Sequence, residues 1–221
     1  MSKQEQQDWV RARQPEQIEE RRRAILATAR EMLAERDFRE LSLNELARRA
    51  GFTKSNLYRY FGSLEEIFLE IYAEETCGWF RSMAEELDAL RPDCGADAVA
   101  AGLTRQTLQR SLLLKLMPML GNVLERNSSE EAILRFKLGM LDDLALLEAA
   151  LRRVLPELPA DAMPLLTLGF HALVAGMAQS CEPNETVQRV MQHPRLQGMR
   201  MDVGERLEKA GSALIRGLCN Q

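Results

Sequence analysis

Eleven residues, Gly51–Phe61 with the sequence GFTKSNLYRYF, hold an unusual density of chemistry-bearing side chains. Lys54 and Arg59 carry charge, Ser55 and Asn56 offer small donors and acceptors, and Tyr58 and Tyr60 add phenolic hydroxyls on aromatic rings. Such a cluster can serve as a core edge, as an aromatic cage for a ligand, or as a surface for phosphates and bases. A helical wheel at about 100° per residue separates these roles. Leu57 and Phe61 fall on one side as an apolar anchor, and Ser55 and Arg59 point the opposite way. Lys54 and Tyr58 flank one edge, with Asn56 and Tyr60 on the other. A helix with a narrow core stripe and hydrogen-bonding groups everywhere else suits the major groove. Base edges there present donors and acceptors to Arg, Asn, Lys and Ser, while tyrosine hydroxyls and lysine reach phosphates from the flanks. Any one of these residues alone reads as an ordinary solvated helix face; the whole set points to nucleic acid.

The elements that must position this cluster are helical. Upstream, LSLNELARRAG predicts a helix with Ser42 as N-cap and Glu45 completing a capping box. Leu43, Leu46, Ala47 and Ala50 follow the i, i+3, i+4, i+7 spacing of a buried face, and Gly51 suits a turn with positive φ. Thr53 caps the next helix, expected over Lys54 to Phe61. Before them, Ile18, Ile25, Ala29 and Leu33 mark the stripe of a first helix that exposes Arg21, Arg22 and Arg23. After them, Ser63 with Glu66 opens a long fourth helix to about Leu90. The capped starts at Ser42, Thr53 and Ser63 also favour phosphate.

Helical spacing continues to the C-terminus, without a clear alternating strand run. Helices are expected near Ala96 to Arg110 and Leu112 to Leu124, the latter offset at Pro118, and from a Ser128–Glu131 cap to Leu155. An apolar helix then covers Ala162 to Cys181, and Asp202 with Glu205 caps a last helix to Cys219. The expected fold is all-α, a three-helix helix-turn-helix unit followed by a larger helical domain, about nine helices in total.

The 221 residues suffice for a sizeable core. The net charge of −4 is uneven: residues 1–62 hold thirteen Lys or Arg against ten Asp or Glu, the remainder sixteen against twenty-three. A mildly basic head on an acidic body fits a polyanionic partner for the head. Cys77, Cys94, Cys181 and Cys219 are scattered, and with two histidines in the chain no metal-ligand spacing or nucleophile motif emerges. The expectation is therefore no cofactor, no metal and no enzymatic activity. No apolar run is expected to reach the roughly 18 residues that span a bilayer, and the polar start lacks a signal-peptide core, so the chain is read as cytoplasmic.

The stretch ILATAREMLAERDFRELSLNELARRAGFTKSNLYRYFGSLEEIF resembles the DNA-binding domain of tetracycline-repressor-like (TetR) transcriptional regulators over roughly Arg22 to Leu69. The resemblance implies a homodimer in which three small helices bind a double-stranded operator. A larger helical domain would bind an inducer and dimerise through its last two long helices. Carried over by position, Lys54, Ser55, Tyr58, Arg59 and Tyr60 contact DNA, Thr53 lies at the helix start, and Asn56 adds a base contact. The family often has lysine in the turn after the recognition helix where this chain has Leu64; Arg22 and Arg23 are expected to compensate. The implied domains are an arm over 1–16 that carries Trp9, Arg11 and Arg13, a DNA-binding domain over 17–62, and a ligand-binding and dimerisation domain over 63–221.

Small residues in the last two long helices fit a four-helix isologous interface. The expected dimer residues are Gly169, Ala172, Leu173, Gly176 and Ser180, with Leu207, Ala210, Gly211, Leu214 and Leu218; intradomain packing is the alternative. Two recognition helices must also meet successive major grooves, roughly 34 Å apart. Candidates for an apolar inducer pocket are Trp79, Phe80, Met83, Met117, Phe136, Met140, His171 and Met177, each of which equally suits ordinary core. The leading expectation is a repressor released by an inducer; the same residues also fit a repressor or activator without small-molecule control.

Overall fold

The computed structural model describes the backbone of residues 3–181, 185–199 and 202–220, and side chains within 16–178, 186–198 and 202–220. The expected arm over 1–16 lies almost wholly outside the described side chains. Among the described residues the chain is helical throughout, with no strand. It forms two compact units, residues 1–71 with 122–133, and residues 72–121 with 134–221. The expected boundary at 62/63 falls inside the first unit.

In the first unit, α1 (Lys3–Glu35) is followed by α2 (Leu43–Arg49), α3 (Lys54–Leu57) and the opening turns of α4 (Leu64–Asp88). Ile25, Ala29 and Leu33 of α1 are buried as their spacing predicts, whereas Ile18 is 50% exposed. Their stripe packs with Leu46 and Ala47 of α2, Leu57 and Phe61 around α3, and Ile67, Phe68 and Ile71 of α4, all in the core. Each buried Leu, Ile or Phe among them contributes about 1.5–3 kcal/mol. Phe38 meets Phe68 edge-on, with ring centroids 5.1 Å apart.

Caps set where these short helices begin. Ser42 Oγ accepts from the Glu45 amide at 3.3 Å, and Thr53 Oγ1 accepts from the Asn56 amide at 3.2 Å. The Glu45 carboxylate accepts from Arg36, at 2.6 Å from Nη2 and 3.1 Å from Nη1. It is thus held by the residue that follows α1, where a capping box would turn it back on its own helix. Gly51 has φ +76°, the left-handed geometry expected of the turn, with open space where a Cβ would stand.

Helix α3 is shorter than the expected Lys54–Phe61. The regular α-helix ends at Leu57, and the chain then tightens into turns in which the Arg59 amide bonds the Asn56 carbonyl (3.2 Å) and the Tyr60 amide the Leu57 carbonyl (2.9 Å), before the Phe61 amide returns to the Leu57 carbonyl at 3.2 Å. Leu57 and Phe61, at i and i+4, nevertheless stay buried on one side.

α4 opens with Ser63 Oγ accepting from the Glu66 amide at 3.0 Å. Glu66 Oε2 accepts from the Gly62 amide at 2.8 Å, and Glu66 Oε1 accepts from the Ser129 amide at 2.9 Å. Ser63 Oγ also donates to the Asn127 carbonyl at 3.1 Å. Residues 122–133 are thereby stitched to the head of α4 within the first unit.

The second unit takes the rest of α4 with α5 (Ala96–Leu108), α6 (Ser111–Leu116), part of α7 (Glu130–Gly139), α8 (Leu141–Val154), α9 (Met163–Cys181), α10 (Glu185–Val190) and α11 (Val203–Cys219). Pro118 offsets α6 as expected: the chain passes into 3₁₀, π and 3₁₀ turns over 117–127. The expected long helix over 128–155 is instead broken at Met140, which adds a helix. Its cap is Ser129, whose Oγ accepts from the Ala132 amide at 3.3 Å, because Ser128 Oγ donates back to the Leu124 carbonyl at 2.8 Å. Asp202 caps α11 through the Glu205 amide at 3.0 Å.

Two further expectations are corrected. The helical stretch Ala160–Ala178 is long and apolar enough to cross a membrane, at a mean hydropathy of 1.3. Interspersed Gly, Thr and His disguise it as a shorter run. Secondly, Leu207, Gly211 and Leu218 are buried against their own chain, and a Cβ on Gly211 would stand 3.2 Å from the Phe170 ring. A Cβ on Gly169 would lie 3.0 Å from Leu214 Cδ2. Much of the small-residue pattern therefore seats α11 on α5 and α9. Ala172 and Gly176 stay exposed, Leu173, Ala210 and Leu214 are half-buried, and Ser180 lies outside the described side chains.

Hydrogen bonding from Arg36 holds the Glu45 carboxyl below the usual carboxylate range. A depressed folded-state pKa stabilises above the unfolded value of about 4.3, and the contribution is lost as pH falls through the folded value. Glu45→Gln should therefore melt lower than the parent at pH 7, with the two thermal midpoints converging toward pH 3.

Candidate nucleic-acid interface and ligand cavity

Short α3 presents a divided surface. Leu57 and Phe61 are buried, while Lys54, Ser55 and Arg59 are exposed, with Tyr58 half-exposed at 50%. Asn56 and Tyr60 are partly covered. The Lys54 ammonium sits 5.9 Å from the centroid of the Tyr58 ring, and Phe52 packs edge-on against Tyr60 at 6.3 Å. Lys54, Ser55, Tyr58 and Arg59 thus share an outward face held by apolar anchors on the other side. That face offers two cations, a hydroxyl and a phenol, which is donor-rich chemistry for phosphates and base edges.

Tyr60 also turns inward. Its hydroxyl accepts from Arg21 at 3.3 Å, and its carbonyl accepts from Arg22 at 3.0 Å. The Arg22 guanidinium pairs with Glu70 and lies 4.5 Å from the centroid of the Phe61 ring. Arg22 therefore holds the exit of α3 against α1 and α4, with three interactions already engaging its fork. Arg23 is open, 70% exposed with Glu19 3.9 Å away. Leu64 begins α4 and is partly buried.

The second unit holds a partly open cavity of about 300 Å³. Of the residues expected from sequence, Trp79, Phe80, Met83, Phe136, Met140 and His171 line it; Met117 and Met177 do not. Met117 is buried at the start of the broken turns after α6. Trp79 stacks near Phe80 at 5.6 Å and Phe170 at 6.4 Å, and its indole donates to Thr107 Oγ1 at 3.1 Å. Sequence reasoning missed the polar part of the lining, Tyr72, Thr76, Thr167 and Lys137. The signal was available, because Tyr72, Thr76, Phe80 and Met83 recur at helical spacing along α4. Tyr72 Oη and His171 Nε2 are 3.1 Å apart, and the Tyr72 ring meets Phe136 edge-on at 5.6 Å. Burial, with the charge of Lys137 added, pushes the His171 pKa down, so the imidazole is neutral at physiological pH.

Among the described residues, no group of three or more His, Cys, Asp or Glu is gathered as metal ligands. Cys77, Cys94 and Cys219 are free thiols.

Residues 25–71 match the family described as bacterial regulatory proteins, tetR family, and residues 73–221 match the tetracyclin repressor-like C-terminal domain. An HTH-type transcriptional regulator, EthR, of Mycolicibacterium smegmatis is 40% identical over 53 residues, 24% of each chain. A Haemophilus influenzae HTH-type transcriptional regulator is 41% identical over 59 residues, 26% of this chain and 29% of its own. The chain thus spans about a third or less of the length of the curated relatives it matches. The fold is shared more widely. A TetR-family regulator structure from Mesorhizobium loti aligns at TM-score 0.57 and 16% identity, covering 91% of this chain and 96% of that one. The PfmR structure from Thermus thermophilus aligns at 0.52 and 21%, covering 88% and 98%.

The Arg22–Glu70 pair should couple by about 1–2 kcal/mol, since both side chains are largely sheltered. Urea unfolding of Arg22→Met, Glu70→Gln and the double variant measures it. A coupling near zero would remove the clamp.

Proposed function

The chain belongs to the TetR family of transcriptional regulators, and from that premise we propose that it is a homodimeric repressor of a palindromic operator, released by a mostly apolar small molecule. The observation that carries the DNA side is the outward face of α3, with Lys54, Ser55, Tyr58 and Arg59 opposite the buried Leu57 and Phe61. In this reading Ser55 and Arg59 read base edges. Lys54, Tyr58 and Tyr60 position the helix on phosphates, with Thr53 at its start and Asn56 as a further base contact. Arg23 reaches the backbone from α1, whereas Arg22 acts by holding α3 in place.

Dimerisation is supported by the apolar face that α9 leaves uncovered. Leu165 and Leu168 are 53% and 67% exposed, and Ala172 and Gly176 continue their stripe. A second copy covering this face accounts for the apolar surplus of Ala160–Ala178 without a lipid partner. The protein then works in the cytoplasm on chromosomal DNA. Ligand control is supported by the apolar cavity and by α4, which supplies residues both to the unit that carries α3 and to the cavity wall. A ligand releases DNA only insofar as it binds the two states of the dimer unequally.

The operator, selected from random duplexes, supplies the test. Arg59→Ala should lose at least about tenfold in operator affinity and most sequence preference, because a bidentate base contact discriminates by about 1–3 kcal/mol. Its helicity and oligomeric state should match the parent. Wild-type preference in that variant would refute the assignment of the reading face. For the dimer, Leu168→Glu should sediment as a monomer under conditions where the parent sediments as a dimer; an unchanged dimer would place the interface elsewhere.

A further inference from the structure

The cavity of the second unit is not uniformly apolar. Trp79, Phe80 and Met83 form its greasy wall, while Thr76 and Tyr72, one and two turns earlier on α4, bring hydroxyls. Thr76 is 3% exposed, lines the cavity, and its Oγ1 has no hydrogen-bond partner. A buried hydroxyl without a partner costs about 1–3 kcal/mol. Helical threonines usually relieve that cost by bonding the carbonyl four residues earlier. Thr28, Thr107 and Thr167 do so here, at 3.0, 2.7 and 3.2 Å. Thr76 keeps its hydroxyl unspent in the cavity wall.

The groups around it share one electrostatic sense. Tyr72 Oη is held 3.1 Å from His171 Nε2, so that in the Nε2-protonated tautomer the imidazole donates to it and leaves the phenol proton for a ligand; Lys137, exposed, lines the same cavity with its ammonium 4.7 Å from the Phe136 ring centroid. The lining contains no Asp or Glu. A cationic ligand would find no counter-ion and would meet Lys137. An acceptor, above all a charged one, would find hydroxyl donors and a cation. A phosphate, with a charge near −2, would exceed what one lysine compensates. A carboxylate matches it.

We propose that this cavity binds an amphipathic monocarboxylic acid, with its carboxylate taken by Thr76, Tyr72 and Lys137 and its apolar body lying against Trp79, Phe80 and Met83. This deepens the reading of the cavity as the effector site and rests on it. A cavity of about 150 Å³ holds benzene. At roughly twice that volume, this one accommodates a ligand of about ten to fourteen heavy atoms.

Calorimetric titration of the full-length protein with decanoate and with 4-butylbenzoate, each beside its methyl ester, tests the assignment. At least one acid should bind about tenfold or more tightly than its ester, the discrimination expected of a charge-assisted site. Thr76→Val keeps the side-chain volume and removes the hydroxyl; it should weaken that acid roughly five- to twentyfold. Lys137→Met should shrink the acid-over-ester ratio toward unity. Equal binding of acid and ester, a ratio unmoved in Lys137→Met, or no binding of either acid would overturn the proposal. Operator release is read separately. An acid that binds with the expected preference yet leaves the operator occupied would support the ligand assignment while refuting effector control.

Discussion

The outward face of α3 is held in place above all by one side chain that is turned into the first unit. Arg22 spends its guanidinium on the Glu70 carboxylate, the Tyr60 carbonyl and the face of Phe61, and so ties α1, the exit of α3 and α4 together. The constraint matters because α3 itself is short. Four α-helical residues followed by tight turns have little intrinsic stability. Their geometry is imposed from outside, by Thr53 at one end, Leu57 and Phe61 beneath, and the arginine fork at the other end. A guanidinium serves better here than an ammonium, since its planar fork can hold a carboxylate and a carbonyl while its face lies on a ring.

The helix-turn-helix unit was largely legible in the sequence because its signals are local. Caps at Ser42, Thr53 and Ser63, the glycine turn at Gly51 and the apolar spacing of α2 act over three or four residues, and each appears where its pattern placed it. Less legible were features set by partners distant in the chain. Glu45 has the spacing of a capping box, yet Arg36 captures its carboxylate. Arg22 has the look of an exposed cation on an arginine-rich helix, and only the fold brings Glu70 and Phe61 to it.

The second unit shows the same limit more strongly. Apolar and small residues there repeat at helical spacing on several faces, and periodicity alone does not say which neighbour each face meets. Gly169 and Gly211 look like dimer contacts in sequence, but the close approaches they permit are to Leu214 and Phe170 of their own chain. The large aromatics of the cavity could be named in advance, because bulk must go inside. The polar end could not be read as readily, because Tyr72 and His171 are far apart in sequence and meet only after packing.

The two oxygens of Glu66 carry a consequence for modular engineering. One accepts from the Gly62 amide where the chain leaves the α3 turns, and the other from the Ser129 amide far downstream. The DNA-reading head is therefore discontinuous in sequence. A chimera joined at residue 71 would transplant α1 to α3 without residues 122–133, leaving Ser63 and Glu66 to seek substitutes in the recipient for Asn127 and Ser129. Exchange of specificities between such regulators accordingly requires two segments of chain to travel together, the second being residues 122–133.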